Sequence, residues 1–165
     1  MPRDAQETGL AMPAAVGATA RGESPSPLWL HASCVELAGT GIVLIGPSGS
    51  GKSDLALRLI DGGARLIADD RLAVERAGPR LFGRPAASLA GLLEVRGFGI
   101  VRLRHGARSR LGLVVDLDPR RAAERLPEPA VHRLLGLALP CLQLDPRAPS
   151  ACAKVRLALA AERVA

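Results

Sequence analysis

Eight consecutive residues, Gly46-Pro47-Ser48-Gly49-Ser50-Gly51-Lys52-Ser53, constrain this chain more than any other stretch. They satisfy the spacing G-x-x-x-x-G-K-[ST], and their flanks give that spacing its meaning. Residues 41–45, Gly-Ile-Val-Leu-Ile, are short, apolar and β-branched, which predicts a strand feeding the loop. Residues 53–60 put Leu55, Ala56, Leu59 and Ile60 on one helical face, and Asp61-Gly62-Gly63 supplies a glycine stop. In the order strand, loop, helix, glycines 46, 49 and 51 let successive backbone N–H groups turn inward onto phosphate oxygens. The anion then sits on the positive end of the helix. Lys52 is expected to reach the outer phosphates of ATP and Ser53 to ligate Mg²⁺, with the whole of 46–53 cradling the nucleotide. The chain holds 22 basic residues, of which only Lys52 and Lys154 are lysines, so a lysine at this position stands out against an arginine-rich background.

One domain's worth of chain, 165 residues at 48% hydrophobic content, is enough for a core. Residues 1–27 are small and rich in Pro, Gly and Ser without apolar periodicity, which predicts a disordered tail and a folded domain over 28–165. The tail lacks a secretory pattern and no later segment is long and apolar enough to span a bilayer, so a cytoplasmic protein with no membrane partner is expected. Cys34, Cys141 and Cys152 are odd in number and sit among apolar neighbours, reading as buried thiols. His31, His105 and His132 show no metal-ligand spacing. The formal charge of +6 and the run RLRHGARSR at 102–110 invite a nucleic-acid reading. With 2% aromatic residues and no tyrosine there are no stacking platforms for it, so the run reads as a solvated hairpin and no nucleic-acid partner is expected.

A nucleotide site that transfers a phosphoryl group needs carboxylates beyond the loop. Residues 65–68 predict a strand ending at Asp69-Asp70, and residues 111–116 predict a cleaner one ending at Asp116. Pattern alone does not choose between them. Adjacent carboxylates near a metal can be held in different protonation states, which suits acid–base work. A turn is the competing reading for Asp69-Asp70 and the favoured one for Asp116, which precedes Leu117-Asp118-Pro119. Glu94 lies in LLEVRGFGIVRL, whose Gly97 and Gly99 do not suit a plain strand, and an ion pair with Arg96 is its simplest role.

The blocks LHASCVELAGTGIVLIGPSGSGKSDLALRLIDGGARLIADD and LLEVRGFGIVRL, in this order, resemble the catalytic domain of bacterial HPr kinase/phosphorylase, in the short form found in some proteobacteria. The resemblance runs from about Leu30 to the C-terminus. It implies an α/β fold, a single P-loop kinase domain with a mixed β-sheet flanked by helices. It also implies ATP- and Mg²⁺-dependent phosphorylation of a serine on an HPr-like phosphocarrier of the sugar phosphotransferase system, and removal of that phosphate by inorganic phosphate. Such a kinase regulates carbon or nitrogen metabolism. Residue by residue, His31 and Lys52 match active-site positions, Asp70 matches the proton acceptor and donor with Asp69 beside it, and Arg125 matches a late active-site arginine. Ser53 and Glu94 match the magnesium ligands. The family's long members form hexamers through their catalytic domains, which implies a homo-oligomer.

Three positions depart from the family pattern. Pro47 replaces a common acidic residue, and Asp145-Pro146-Arg147-Ala148-Pro149-Ser150 keeps one arginine of a Pro-x-Arg-Pro-Gly-Arg segment while losing its glycine and second arginine. In the family that segment is tied to dephosphorylation. The alternatives are a P-loop kinase of a small metabolite and a non-catalytic ATP-sensing binding module.

Overall fold

The computed structural model describes residues 25–121 and 124–161; the 1–24 part of the expected tail lies outside them. Eleven strands and two α-helices follow in chain order: β1 (Leu28–Leu30), β2 (Ser33–Leu37), β3 (Thr40–Ile45), α1 (Lys52–Asp61), β4 (Arg65–Ala68), β5 (Leu72–Ala77), β6 (Arg80–Pro85), β7 (Leu92–Val95), β8 (Gly99–Arg102), β9 (Ser109–Asp116), β10 (Ala130–Leu134), β11 (Leu137–Gln143) and α2 (Ala151–Ala160). A 3₁₀ turn at Ala87–Leu89 precedes β7. The fold is a mixed α/β one, and the strand, loop and helix expected around residues 41–60 are all present, as are the strands ending before Asp69 and at Asp116.

The hub is β9, an apolar strand long enough to serve three neighbours. Its first residues pair antiparallel with β6, and its last run parallel with β11 on the same side and with β3 on the other. From β3 the sheet continues antiparallel through β2 to β4, and from β6 through β5 to β1. The parallel β3–β9 pair sets Ile45 beside Asp116, so the loop that follows β3 emerges at the carboxyl end of the central strands.

Alternation divides the apolar side chains into two layers. Val35, Ile42, Leu44, Leu66, Leu113 and Val115 pack under α1 and α2 through Leu55, Ala56, Leu59, Ala151 and Val155. Cys34, Val43, Ile67, Leu72, Val74, Leu111 and Val114 form the second layer, to which neither α1 nor α2 contributes. The mixed sheet is thus flanked by helices as expected, with α1 and α2 both on the first layer's face. The second layer is closed by the sheet curling on itself, with Leu28 and Leu30 of β1 and Leu137 and Leu139 of β11 packed against it.

Two expectations need correcting. The basic run 102–110 is not a hairpin: β8 pairs only with β7 in a small separate sheet, while β9 enters the main one. Of the three free thiols only Cys34 is fully buried, and burial pushes its pKa far up, whereas Cys141 and Cys152 are half-buried. No helix among the described residues is long and apolar enough to cross a membrane.

Glu36 ties β2 to both sides of the sheet, accepting from Ser109 Oγ and pairing with Arg65 opposite it on β4. The Ser109 hydrogen bond, against the opposing effect of burial and with help from Arg65, holds the Glu36 carboxyl below the usual range. Its folded pKa lies below its unfolded value of about 4.3, so its contribution is present at neutral pH and lost as pH falls through the folded pKa. Ser109→Ala is expected to lower Tm at pH 7 by roughly 2–4 °C, with solvent screening keeping the effect small. Thermal melts in acid, below the folded pKa, should show that gap closing.

Candidate active site

Between β3 and α1 the backbone takes three left-handed or unusual steps, with φ of +151° at Gly46, +79° at Gly49 and +97° at Gly51. A Cβ on Gly46 would lie 2.6 Å from Ser50 Oγ, and one on Gly51 would lie 3.1 Å from Pro146 Cγ. Gly51 caps α1 in the left-handed region without any side-chain cap, so the first N–H groups of the helix face the loop unclaimed by one. Ser50 Oγ is buried and has no hydrogen-bond partner among the described residues. An unfilled hydroxyl and a turn of free N–H groups at a helix N-terminus are the donor set of an anion site, and the loop fits a phosphate tail.

Lys52 Nζ donates to the loop's own carbonyls, Gly46 O at 2.8 Å and Pro47 O at 3.1 Å. Burial pushes its pKa below the ordinary lysine range, while Asp69 and Asp70 pull it back up. Pro47 has no N–H to give a phosphate, but its carbonyl accepts from both Lys52 Nζ and Ser50 N.

The paired acids differ sharply. Asp69 is 6% exposed. Its Oδ1 accepts from Ser33 Oγ at 2.6 Å and from Ser53 Oγ at 2.8 Å, and its Oδ2 faces Glu94 N at 3.3 Å. Asp70 is exposed, with φ of +68°, and its only hydrogen bond among the described residues is to His31 Nε2 at 2.6 Å. A carboxylate can only accept, so the imidazole nitrogen facing it carries the proton.

This division originates in the β2–β4 pairing. Val35 lies opposite Leu66 but Cys34 lies opposite Ala68, leaving Ile67 as an extra residue on β4. Ile67 and Ala68 consequently both fall in the second layer, and the alternation resumes one step late. Asp69 is turned to the α1 face, where Ser53 lies in the first turn of the helix, and Asp70 is left outside.

Around this centre a cleft of about 590 Å³ is lined by His31, Ser33, loop residues Ser48 to Ser53, Asp69, Asp70, Glu94, Arg96 and Arg147. The structure thus brings together most of the residues singled out in the sequence. No ion pair joins Glu94 to Arg96 among the described residues; the β7–β8 hairpin instead delivers the Glu94 backbone to Asp69 and leaves its exposed carboxylate on the cleft wall. Arg125 stands apart, exposed in the β9–β10 connection and outside the cleft lining. Asp116 is spent on its own turn, accepting from Asp118 N at 3.0 Å and facing Arg121 Nη1 at 3.4 Å.

Two participants escaped the sequence reading. Ser33 was a single hydroxyl in an apolar strand, which is a visible signal. Arg58, on α1, donates through Nη1 and Nη2 to Pro146 O at 2.7 and 2.8 Å, pinning the segment that carries Arg147 over the loop. Its helix position gave no hint of that partner. Among the described residues no group of three His, Cys, Asp or Glu side chains is gathered for a metal. Magnesium needs only one or two protein oxygens beside phosphate, and Ser53 Oγ, Asp69 and Glu94 are such hard donors.

Residues 26–148 match the HPr Serine kinase C-terminal domain. The chain belongs to that family. Curated relatives named HPr kinase/phosphorylase include one from Geobacillus thermodenitrificans, 35% identical over 130 residues (72% of this chain, 42% of the relative). Another from Mycoplasma genitalium is 46% identical over 74 residues (45% of this chain, 24% of the relative). The matches thus span 24% and 42% of the length of these HPr kinase/phosphorylases, well under the whole of either relative. The HPr(Ser) kinase/phosphatase structure from Coxiella burnetii shares the fold, with a TM-score of 0.70 at 20% identity over 80% of this chain and 93% of that one.

The loop's two kinds of glycine are separable by substitution. Gly49→Ala meets no atom within 4 Å and should lose only about 1–2 kcal/mol from the left-handed backbone, whereas Gly51→Ala also presses on Pro146 and should lose more. Urea unfolding of the two variants checks the order.

Proposed function

We propose that this chain is an ATP- and Mg²⁺-dependent serine kinase acting on an HPr-like phosphocarrier, and that it removes the phosphate again by transfer to inorganic phosphate. Support comes chiefly from the unequal state of the two aspartates at the cradle. Asp69 is already filled with donors and is buried, so a further proton on it would be set against two hydroxyl O–H groups. Asp70 is open, keeps an oxygen without a partner among the described residues, and faces the cleft.

In the forward direction Asp70 takes the proton of the attacking serine hydroxyl as its oxygen bonds to the γ-phosphorus and the bond to the β-phosphate oxygen breaks, releasing ADP. In reverse, an oxygen of inorganic phosphate attacks the phosphoserine phosphorus, the serine oxygen leaves with the proton held on Asp70, and pyrophosphate forms. His31, bonded to one carboxylate oxygen, orients Asp70 with the other free. Lys52 exchanges the carbonyls of Gly46 and Pro47 for phosphate oxygens and stabilises charge on the transferring group. Ser53, with its hydroxyl proton on Asp69, offers lone pairs to a metal, and Glu94 is the second ligand. Magnesium supplies neutralisation of the phosphate charge. Arg147, and Arg125 on the family's pattern, supply further positive charge toward the acceptor. We read the chain as cytoplasmic and its catalytic unit as a homo-oligomer, as the family pattern suggests.

The test uses labelled ATP, Mg²⁺ and the phosphocarriers of the host. Phosphoserine should form on a carrier, Asp70→Asn should abolish transfer while leaving ATP binding intact, and Lys52→Ala should cost on the order of a thousandfold in rate. Consumption of a small hydroxylated acceptor in place of the carrier would replace this reading with a metabolite kinase. Tight ATP binding without transfer, indifferent to Asp70, would replace it with a nucleotide sensor.

A further inference from the structure

A hydroxyl group in the middle of an apolar wall needs a reason. Ser33 is 0% exposed, as are its neighbours Ala32, Cys34 and Val35. Burying it without a hydrogen bond would be costly, and its one partner among the described residues is Asp69 Oδ1. Alternation puts Ser33 on the same face as Val35, the face that α1 covers, and the β2–β4 register carried one step beyond Cys34–Ala68 sets Ser33 opposite Asp69. The oxygen it donates to is the one that also accepts from Ser53.

We infer that Ser33 is a positioning residue for the metal–phosphate site, setting the Asp69 carboxylate that orients the Ser53 hydroxyl. This rests on the proposed kinase reading, in which Ser53 ligates Mg²⁺. Two hydroxyl protons on one carboxylate oxygen occupy both of its lone-pair directions and stop the carboxylate from rotating. With Asp69 fixed, the Ser53 proton has one place to go, and the remaining lone pairs of Ser53 face the cradle. Ser33 is fully buried, and its hydroxyl acts on the site through Asp69. Removing it leaves Oδ1 with one donor in a buried pocket. The carboxylate can then turn toward the nearby Lys52 ammonium, and the Ser53 hydroxyl loses its fixed direction. Groups that orient a metal ligand in this way typically matter by ten- to a hundredfold in metal affinity.

The experiment is calorimetric titration of ADP into the purified chain across a series of Mg²⁺ concentrations and in EDTA, with wild type, Ser33→Ala, Ser33→Thr and Ser33→Val. Thr and Val have the same shape and differ by the hydroxyl, so their comparison holds even where alanine impairs folding. The expected result is that Ala and Val raise the Mg²⁺ concentration needed for half of the Mg²⁺-dependent gain in ADP affinity by roughly tenfold or more. Affinity in EDTA should stay within about twofold of wild type, and Thr should restore the Mg²⁺ response. Val or Ala variants that melt earlier yet keep the wild-type Mg²⁺ response would overturn the inference, because Ser33 would then only fill the wall. A wild-type protein that binds no ADP, or binds it without regard to Mg²⁺, would overturn the kinase reading itself and the inference with it.

Discussion

One surplus residue in a four-residue strand decides the chemistry of this molecule. Ile67, unpaired between Leu66 and Ala68 on β4, shifts the side-chain alternation so that the next residue swings under the N-terminus of α1. With strict pairing Asp69 would share the face of Ile67 and point into the layer to which neither α1 nor α2 contributes. With the bulge it is delivered to Ser53, and the chain's exit from the strand at Asp70 takes a left-handed step into solvent. A single backbone irregularity thus produces two adjacent acids in opposite environments.

The rest of the site is built to keep that arrangement in place. Asp69 joins four parts of the chain, since Ser33 comes from β2, Ser53 from α1 and the Glu94 N–H from the β7–β8 hairpin. Satisfying a buried carboxylate this fully makes its burial tolerable, and removing one partner would leave a polar group stranded. On the other side of the loop, Arg58 fastens Pro146, whose ring lies where a side chain on Gly51 would stand. The cradle is thereby held between two ties, one through a carboxylate and one through a guanidinium.

Much of this was legible in the residues. The strand, the loop and the helix followed from periodicity and glycine placement, because those signals are local and α1 satisfies its apolar face in the way an amphipathic helix must. The strand before Asp69 was equally plain. What could not be read was the direction of Asp69, because a bulge depends on the partner strand and leaves Arg65–Ala68 looking like any short strand. Residue pattern alone left the choice between Asp69-Asp70 and Asp116 open; the family resemblance pointed to the pair, and the fold supplies the physical reason. Asp116 does end the strand beside the loop strand, as the generic pattern expects, but its carboxylate is consumed by Asp118 N and Arg121. The basic run 102–110 misled because alternating arginines on either side of Gly106 resemble a hairpin, whereas β8 and β9 belong to different sheets. Arg58 was invisible because its partner is a backbone carbonyl 88 residues away.

The central claim is that Asp69 and Asp70 hold separate duties around one phosphate chain lying in the 46–53 loop. A crystal structure with ADP, Mg²⁺ and a metal fluoride in place of the transferring phosphoryl tests it most directly. The account predicts Lys52 Nζ moved from the Gly46 and Pro47 carbonyls onto phosphate or fluoride, Ser53 Oγ on the metal and still bonded to Asp69, and Asp70 facing the open side of the fluoride. A nucleotide bound elsewhere with Lys52 still on its own loop, or Asp69 rather than Asp70 at the open side, would contradict it.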